Sequence, residues 1–207
     1  MTVIKKNFKV ENLFKLQNIS NMLSKNDCID KGSYPVCSSD TTNNGIIGYC
    51  DNPEFIINDK TPVYITFGDH TRTFNIMQKS FSVIDNTKVL SPKINDIKAL
   101  LYITTVWKKQ IKDLGYARHW KIAKICDLSL PILVDEYNKP VIDSTKKYHN
   151  EGFIPNIKYM ENQIKALEEK KIKELEKYLN ISSSDDYVLN ESEKYAVEQF
   201  NCRCFKT

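Results

Sequence analysis

The sequence has no long apolar run, no paired metal-binding cysteines and no secretion signal. No stretch approaches the roughly 20 apolar residues that a membrane-spanning helix needs. The first residues, Met-Thr-Val-Ile-Lys-Lys-Asn, lack the apolar core of a signal peptide, so we expect the protein to stay in the cytoplasm. The six cysteines include no Cys-x-x-Cys pair. They therefore predict free thiols and no bound metal.

Motifs for catalysis are missing as well. No Walker-type Gly-Lys-Ser/Thr occurs. The segment Asp51-Asn52-Pro53-Glu54-Phe55 is similar to the Asn-Pro-Pro-Phe loop of amino-methyltransferases, but Glu54 replaces the second proline, and no Gly-rich turn is present to hold S-adenosylmethionine. Asp69 and His70 are adjacent, so on a strand they would point to opposite faces. We predict a chain with no catalytic residues and no cofactor of its own.

Composition indicates a folded chain with a mildly basic body. Hydrophobic residues make up 41% of the 207 residues, which excludes a disordered chain. The formal net charge of +4 is uneven: residues 1–156 hold 21 Lys and Arg against 16 Asp and Glu, whereas residues 157–207 hold 9 against 10. This excess of positive charge raises the expectation of nucleic-acid binding only slightly.

Short β-type runs dominate the first 94 residues, where Asn, Asp, Gly, Ser and Thr separate them. They predict a compact antiparallel or barrel-like β body with strands at Tyr34–Cys37, Ile46–Cys50, Phe55–Ile57, Val63–Phe67, Phe74–Met77 and Phe81–Ile84. A core-packed helix is expected after Asn95, which is a candidate cap, and Gly115 lies just past its end. A further strand is expected at Leu128–Val134. The fold class is therefore α+β.

A long amphipathic helix is predicted from Ile157 to Ile181, a stretch of 25 residues without Gly or Pro, 11 of them charged. Asn156 can cap its first turn. Its apolar positions recur every three to five residues and form one stripe, whose members are Ile157, Met160, Ile164, Leu167, Ile172, Leu175 and Leu179. A stripe this long favours pairing with a second similar helix. We therefore expect three parts: a globular domain at 1–155, a spacer and dimerisation helix at 156–181, and a tail or linker with a short helix at 182–207.

Polar and basic residues cluster in three loops of the body. The first, Ser38 to Gly45, offers the amides of Asn43 and Asn44, which suit phosphates and base edges. The second is a predicted hairpin tip with Thr71, Arg72 and Thr73, and an arginine fork can bond two acceptors of guanine. In the third, Arg118, Lys121 and Lys124 follow one another at i, i+3 and i+6, so they would share one helical face and suit phosphates. Together the clusters predict contact with duplex DNA.

Taken in order, several segments resemble the target recognition domain of type I restriction-modification specificity subunits and their BcgI-like relatives. The segments are Phe8–Phe14, Tyr34–Ser39 with Asn43–Tyr49, Val63–Asp69, Val89–Lys93, Gly115–Arg118 leading to Leu130–Ile132, and Pro155–Glu161. The last opens the long helix, as the spacer helix does in that family. The resemblance covers nearly the whole chain.

The resemblance implies a non-catalytic subunit that binds one half of a bipartite double-stranded DNA site. Its partners would be a methyltransferase subunit, which would carry S-adenosylmethionine, and a restriction subunit. Family members carry two recognition domains and two spacer helices, whereas this chain has one of each, as in a natural or truncated half-subunit. A homodimer through the long helix would then read an inverted repeat with a spacer.

Two alternatives remain open. The chain could be a scaffold or protein-interaction subunit that is assembled through its long helix and binds no DNA. A stand-alone nuclease or methyltransferase is disfavoured by the missing motifs. Gel shifts with and without a methyltransferase partner separate the first alternative from the DNA-binding interpretation, and label transfer from S-adenosylmethionine tests the second.

Overall fold

The structure is a computed structural model that describes residues 3–182 and 190–195. The chain forms two compact units, residues 1–165 and residues 166–207. The strands are β1 Lys5–Lys9, β2 Phe14–Leu16, β3 Tyr34–Cys37, β4 Ile46–Cys50, β5 Tyr64–Gly68, β6 Phe74–Met77, β7 Ser82–Val83, β8 Thr87–Pro92 and β9 Asp127–Pro131. The helices are α1 Val10–Leu13, α2 Ile97–Gln110, α3 Trp120–Ala123 and α4 Ile157–Ser182.

The strands form three sheets, which confirms a mixed arrangement of sheets and helices. One sheet has the order β2-β8-β5-β6, a second β4-β3-β7, and a third pairs β1 with β9. Their neighbours run antiparallel except β3 and β7, which are parallel. Within the described residues these sheets do not close into a barrel as the sequence suggested. The edge strands of the largest sheet are β2 and β6, and neither pairs with a further strand among the described residues.

The main core of the first unit forms around Trp107 of α2. Its ring stacks on Phe14 at 5.0 Å between centroids, and its Nε1 donates a hydrogen bond to the Ala123 carbonyl at 2.9 Å. Leu100, Ile103 and Trp107 repeat at helical spacing and are fully buried, so their burial stabilises α2. The helix is capped by Asp96, whose carboxylate accepts the Ala99 N–H at 2.7 Å. The predicted cap, Asn95, was therefore wrong by one residue.

The strand predictions are confirmed for Tyr34–Cys37, Ile46–Cys50 and Phe74–Met77, and within one residue for β5. The run Phe55–Ile57 is not a strand, since only Phe55 pairs, in an isolated bridge with Phe81. The run Phe81–Ile84 shortens to β7, and the predicted strand Leu128–Val134 becomes β9, Asp127–Pro131. Sequence patterns missed β1, β2 and β8.

The long helix is confirmed as α4, which begins one residue after Asn156. The Asn156 side chain accepts the Tyr159 N–H at 2.9 Å, as an N-cap does. Met160 is fully buried in the main core, and Ile157 packs against that core. From Leu167 onward the stripe is more open, with Leu167 62% and Leu175 43% exposed. Among the described helices, none combines the length and the apolar character that crossing a membrane requires.

Part of the predicted tail is described. Residues 191–195 are helical, and Asn190 caps them because its side chain accepts the Glu193 N–H at 3.0 Å. Residues 183–189 and 196–207, with the remainder of the predicted short helix, lie outside the described residues.

Candidate nucleic-acid interface

The turn between β5 and β6, residues Gly68 to Thr73, is closed by its own backbone. The Gly68 N–H donates to the Thr73 carbonyl at 2.9 Å, and the Arg72 N–H donates to the Gly68 carbonyl at 2.8 Å. Arg72 has a φ of 57°, a left-handed conformation that non-glycine residues adopt uncommonly. A Cβ at Gly68 would lie 2.5 Å from the Thr71 hydroxyl and 3.1 Å from the Ser39 Cα, so glycine is needed for this close approach.

Asp69 joins this turn to the segment that leads into α3. Its carboxylate accepts the Trp120 N–H, and its carbonyl accepts hydrogen bonds from the His119 N–H and Nδ1 at 2.9 and 3.0 Å. His119 is fully buried, and its Nε2 accepts the Leu114 N–H at 3.2 Å. Because one ring nitrogen donates and the other accepts, this arrangement fits the neutral imidazole. Asp69 and His119 therefore hold two loops together.

Two further contacts fix the same junction. The His70 ring stacks on Tyr116 at 4.6 Å with an interplanar angle of 3°, and His70 Nδ1 donates to the Ala117 carbonyl at 3.2 Å. Tyr116 is 91% exposed, so its outer ring face is open to solvent. Such an open aromatic face suits stacking on a base or a sugar.

Arg72 is occupied within the chain rather than extended from the turn. Its Nη1 donates to the Ile111 carbonyl at 3.1 Å, and its Nη2 pairs with the Asp113 carboxylate. The arginine side chain is only 21% exposed. A guanidinium held at both nitrogens cannot also form a fork on guanine unless these contacts break. The prediction that Arg72 reads a base stays a prediction, and this geometry favours a positioning role.

The two threonines beside Arg72 are also partly internal. The Thr71 hydroxyl accepts the Thr73 N–H at a long 3.4 Å. The Thr73 hydroxyl is buried with no hydrogen-bond partner among the described residues. Both side chains are half-buried, so they offer less surface to a ligand than the sequence suggested.

The loop with Asn43 and Asn44 turns back on itself through two consecutive left-handed residues, with φ values of 45° and 52°. Asparagine tolerates this conformation better than most residues. The Asn43 amide donates to the Ile46 carbonyl at 3.2 Å, and both asparagines are exposed. Hydrogen bonds from Thr42 lower the pKa of Asp40, which stays ionised and orders the turn. The turn therefore presents amide groups to solvent on an ordered backbone.

Contacts place this loop beside the Gly68 turn. Ser39 donates its hydroxyl to the Asn86 carbonyl, which also accepts the Asp69 N–H at 2.8 Å. Asn86 lies in the turn between β7 and β8 and has a left-handed φ of 63°. Three turns from two sheets therefore meet at one end of the body. No hydrogen bond or ion pair in the described part of the chain joins Asn43 or Asn44 directly to the basic residues that follow α2.

The predicted cations Arg118, Lys121 and Lys124 are all exposed. They do not share a long helix, because α3 spans only Trp120–Ala123 and Arg118 precedes it. None has an ion pair or hydrogen-bond partner for its side chain among the described residues. Sequence reasoning missed three further exposed cations, Lys108 and Lys109 in the last turn of α2 and Lys112 just after it. The sequence feature that could have identified them is the cluster of lysines before Gly115.

Residues 108–124, here named the basic segment, thus carry six exposed cations and one acid, Asp113, which already pairs with Arg72. The hydrogen bonds of Asp69 and His119 hold part of this segment against the Gly68 turn. Such a concentration of positive charge attracts phosphate groups.

The segments that seemed closest to catalytic motifs have structural roles. Glu54 accepts the Ser20 N–H at 2.9 Å, and Phe55 stacks on Phe81 at 5.1 Å. Asp69 and His70 each bond a backbone group of another loop rather than each other. Among the described residues, no group of three or more His, Cys, Asp or Glu side chains could hold a metal ion.

The fold and this surface define a mixed α/β domain with a positively charged end built from turns. The sequence matches the type I restriction modification DNA specificity domain over residues 4–177. The chain therefore belongs to this family, which confirms the resemblance, and specificity subunits of type I systems are generally non-catalytic. No curated protein matches the chain.

One similar solved structure is the type I restriction-modification system S subunit from M. genitalium. It is 13% identical, with a TM-score of 0.49, and the match covers 62% of this chain and 35% of that chain.

Proposed function

We propose that this chain is a DNA sequence-specificity subunit that binds duplex DNA through the end of the body described above. Membership of the specificity-domain family supports this role. The observation that carries it is the junction at Asp69 and His119, which fixes the basic segment beside the Gly68 turn. Hydrogen bonds between loops give a rigid surface, and a rigid surface loses less entropy on binding.

Different residues take different parts in this proposal. Arg118, Lys121 and Lys124 contact phosphates, because they are exposed cations without partners in the described part of the chain. Asn43 and Asn44 contact base edges, because an exposed amide can donate and accept at once. Phosphate contacts position the protein and base contacts give the sequence preference.

The long helix provides the second half of the proposal. The 26 residues of α4 span roughly 39 Å at about 1.5 Å per residue. Two such helices packed antiparallel about a twofold axis would separate two recognition domains by about one turn of duplex, near the 34–36 Å spacing of dimeric readers. The homodimer would use Ile164, Leu167, Ile172, Leu175 and Leu179. Met160 and Ile157 are left out of this contact, because the main core buries Met160 and Ile157 packs against that core.

Catalysis belongs to other subunits in this proposal. A methyltransferase subunit would bring S-adenosylmethionine, and a restriction subunit would cleave, while this chain supplies the recognition of the site. The hydrogen bonds of the described residues agree, since the polar groups of Asp69, His70 and His119 are engaged in holding loops.

A selection experiment tests the proposal directly. The chain, alone and with a methyltransferase subunit, is incubated with duplexes of random sequence, and bound DNA is sequenced and footprinted. We expect an enriched motif of two half-sites separated by a spacer of fixed length in which no base is preferred. A single undivided footprint would contradict the dimer, and the absence of any enriched sequence in both samples would favour the scaffold alternative.

A further inference from the structure

Two cysteines lie opposite each other on neighbouring extended segments. Ile29 and Tyr49 exchange both backbone hydrogen bonds, each at 3.0 Å, in an antiparallel bridge. In an antiparallel bridge the residue before one member faces the residue after the other, so the register places Cys28, which precedes Ile29, opposite Cys50, which follows Tyr49. This next position is a non-hydrogen-bonded pair, where Cα atoms are about 4.5 Å apart.

The two side chains lie on the same face. A Cβ built on Gly48 would lie 2.8 Å from the Cys28 Cβ, so the Cys28 side chain occupies the space above Gly48. Gly48 and Cys50 are two residues apart on β4, and such residues share a face of a strand. Any larger residue at position 48 would exclude Cys28 from this space. Disulfides form at Cα separations of about 4.4–6.8 Å, and the usual separation at a non-hydrogen-bonded position of an antiparallel ladder, about 4.5 Å, falls within that range.

Both cysteines are reduced in this structure, and each thiol contacts a local carbonyl. Cys28 Sγ is 3.7 Å from the Ser24 carbonyl, and Cys50 Sγ is 3.6 Å from the Asn52 carbonyl. These weak contacts are readily exchanged, because thiols are poor donors. A disulfide would require both side chains to rotate away from these carbonyls.

We propose that Cys28 and Cys50 form a dithiol site that closes reversibly to a disulfide on reaction with a low-molecular-weight disulfide. Cys28 is the more exposed thiol and reacts first, whereas Cys50 is only 7% exposed and resolves the intermediate. This inference does not depend on DNA binding.

The reaction proceeds in two exchanges. The Cys28 thiolate attacks a sulfur of oxidised glutathione, forms a mixed disulfide and releases one glutathione thiolate. The Cys50 thiolate then attacks the Cys28 sulfur and releases the second glutathione thiolate. Two protein thiols are thereby oxidised, one glutathione disulfide is reduced, and the two protons go to the glutathione thiolates.

The environment of Cys28 slows the first exchange at neutral pH. Burial, Asp27 and Cys50 raise the pKa of Cys28 above its ordinary value, so little thiolate is present at neutral pH. While the pH stays below that pKa, the rate of the first exchange should rise about tenfold for each pH unit, because the thiolate fraction does.

The disulfide would fasten the segment that precedes β3 to β4. Residues 29–49 lie between the two cysteines and include β3, the Asn43–Gly45 turn and all of β4 except Cys50 itself. Backbone bonds at Ile29 and Tyr49 already join these segments, so the covalent link would reinforce an existing contact rather than create a new one. A crosslink about a loop of this length raises Tm by roughly 5–10 °C in a domain of this size.

The test uses the full chain with Cys126, Cys202 and Cys204 replaced by Ser, which leaves Cys28, Cys37 and Cys50. This protein is treated with oxidised glutathione, alkylated and digested without reductant, and thermal unfolding is followed with and without dithiothreitol. We expect a Cys28–Cys50 linked peptide by mass spectrometry and a rise in Tm of about 5–10 °C that dithiothreitol reverses.

A Cys28→Ser variant in the same background is the matched control, and it should gain neither the linked peptide nor the rise in Tm. Cys37 is fully buried and its Sγ lies 3.9 Å from Met77 Sδ, so it should remain unlinked. Mixed glutathione disulfides without a Cys28–Cys50 link, pairing through Cys37, or a link that leaves Tm unchanged would overturn the proposal. The unsubstituted chain serves as a second sample if the background folds poorly.

Discussion

Replacing the three exposed cations Arg118, Lys121 and Lys124 with glutamine should weaken binding to every DNA sequence. None has an intrachain polar partner among the described residues, so the substitutions remove charge without breaking an interaction there. The fold should therefore survive, and a fall in affinity reports on DNA binding itself. Phosphate contacts act through counterion release, and this effect carries no sequence preference.

The size of the effect follows from how many phosphates the three side chains neutralise. Each neutralised phosphate contributes about 0.9 to the slope of log affinity against log salt. Between 1 M and 0.15 M salt this is about 0.74 log units per phosphate, or a factor of about 5.5. Three phosphates give about 170-fold, roughly 3 kcal/mol, and their removal lowers the slope by about 2.7.

Fluorescence anisotropy on a labelled duplex across a salt series provides the measurement. A matched triple variant, Lys31, Lys60 and Lys139 to glutamine, removes the same charge from exposed sites. Lys31 precedes β3 and Lys60 precedes β5, at the opposite ends of those strands from the proposed interface. Equal falls in affinity for the two triple variants would refute the reasoning. A change below about one in the slope of log affinity against log salt for the Arg118, Lys121 and Lys124 variant would refute it as well.

Three other substitutions test separate parts of the structure. If Arg72 positions the turn through Asp113, Arg72→Ala and Asp113→Asn should weaken binding of all DNA sequences to a similar degree. If Arg72 instead reads a base, Arg72→Ala alone should lose discrimination at one base pair. Measured affinities for single-base variants of the DNA site distinguish the two roles. Gly152→Ala should lower the free energy of unfolding by about 1–3 kcal/mol in urea titrations, because φ is 79° and a Cβ would lie 2.6 Å from the Asp143 carbonyl oxygen. The double substitution Leu167→Glu with Leu175→Glu should yield monomers by light scattering and leave the free energy of unfolding unchanged. Dimers that persist in this variant would exclude this face of α4 as the dimer interface.

Periodicity identified the elements whose apolar pattern is long. The helix α4 was predicted within one residue at each end, because its length and the Asn156 cap give a strong local signal. The existence of α2 was predicted as well, but its cap is Asp96 and not Asn95, and it ends at Gln110, four residues before the predicted end at Leu114. Neither asparagine nor aspartate is favoured strongly over the other at this position, so sequence alone could not choose between neighbours.

Strands whose partners are distant were harder to find. Three of the five residues of β1 are lysines, and β1 is paired with a strand more than a hundred residues away. Sequence patterns report which residues are apolar but not which segments pair.

The candidate interface was predictable as a set of loops but not as a surface. Asn43, Asn44 and the cations are exposed as polar residues in loops usually are. The internal engagement of Arg72 depends on Asp113 and Ile111, about forty residues later in the chain, and no local rule indicates that contact. The role of His119 was missed for the same reason, since its partner Asp69 lies fifty residues earlier.

The pairing of β1 with β9 has a consequence for how the protein is made. Lys5–Lys9 leave the ribosome long before Asp127–Pro131 have been translated. At 5–20 residues per second the first strand waits roughly 6–24 s for its partner. During this interval Phe8, which is fully buried in the finished protein, is exposed on the nascent chain. Chaperones that shield apolar segments during translation would therefore find a transient binding site there.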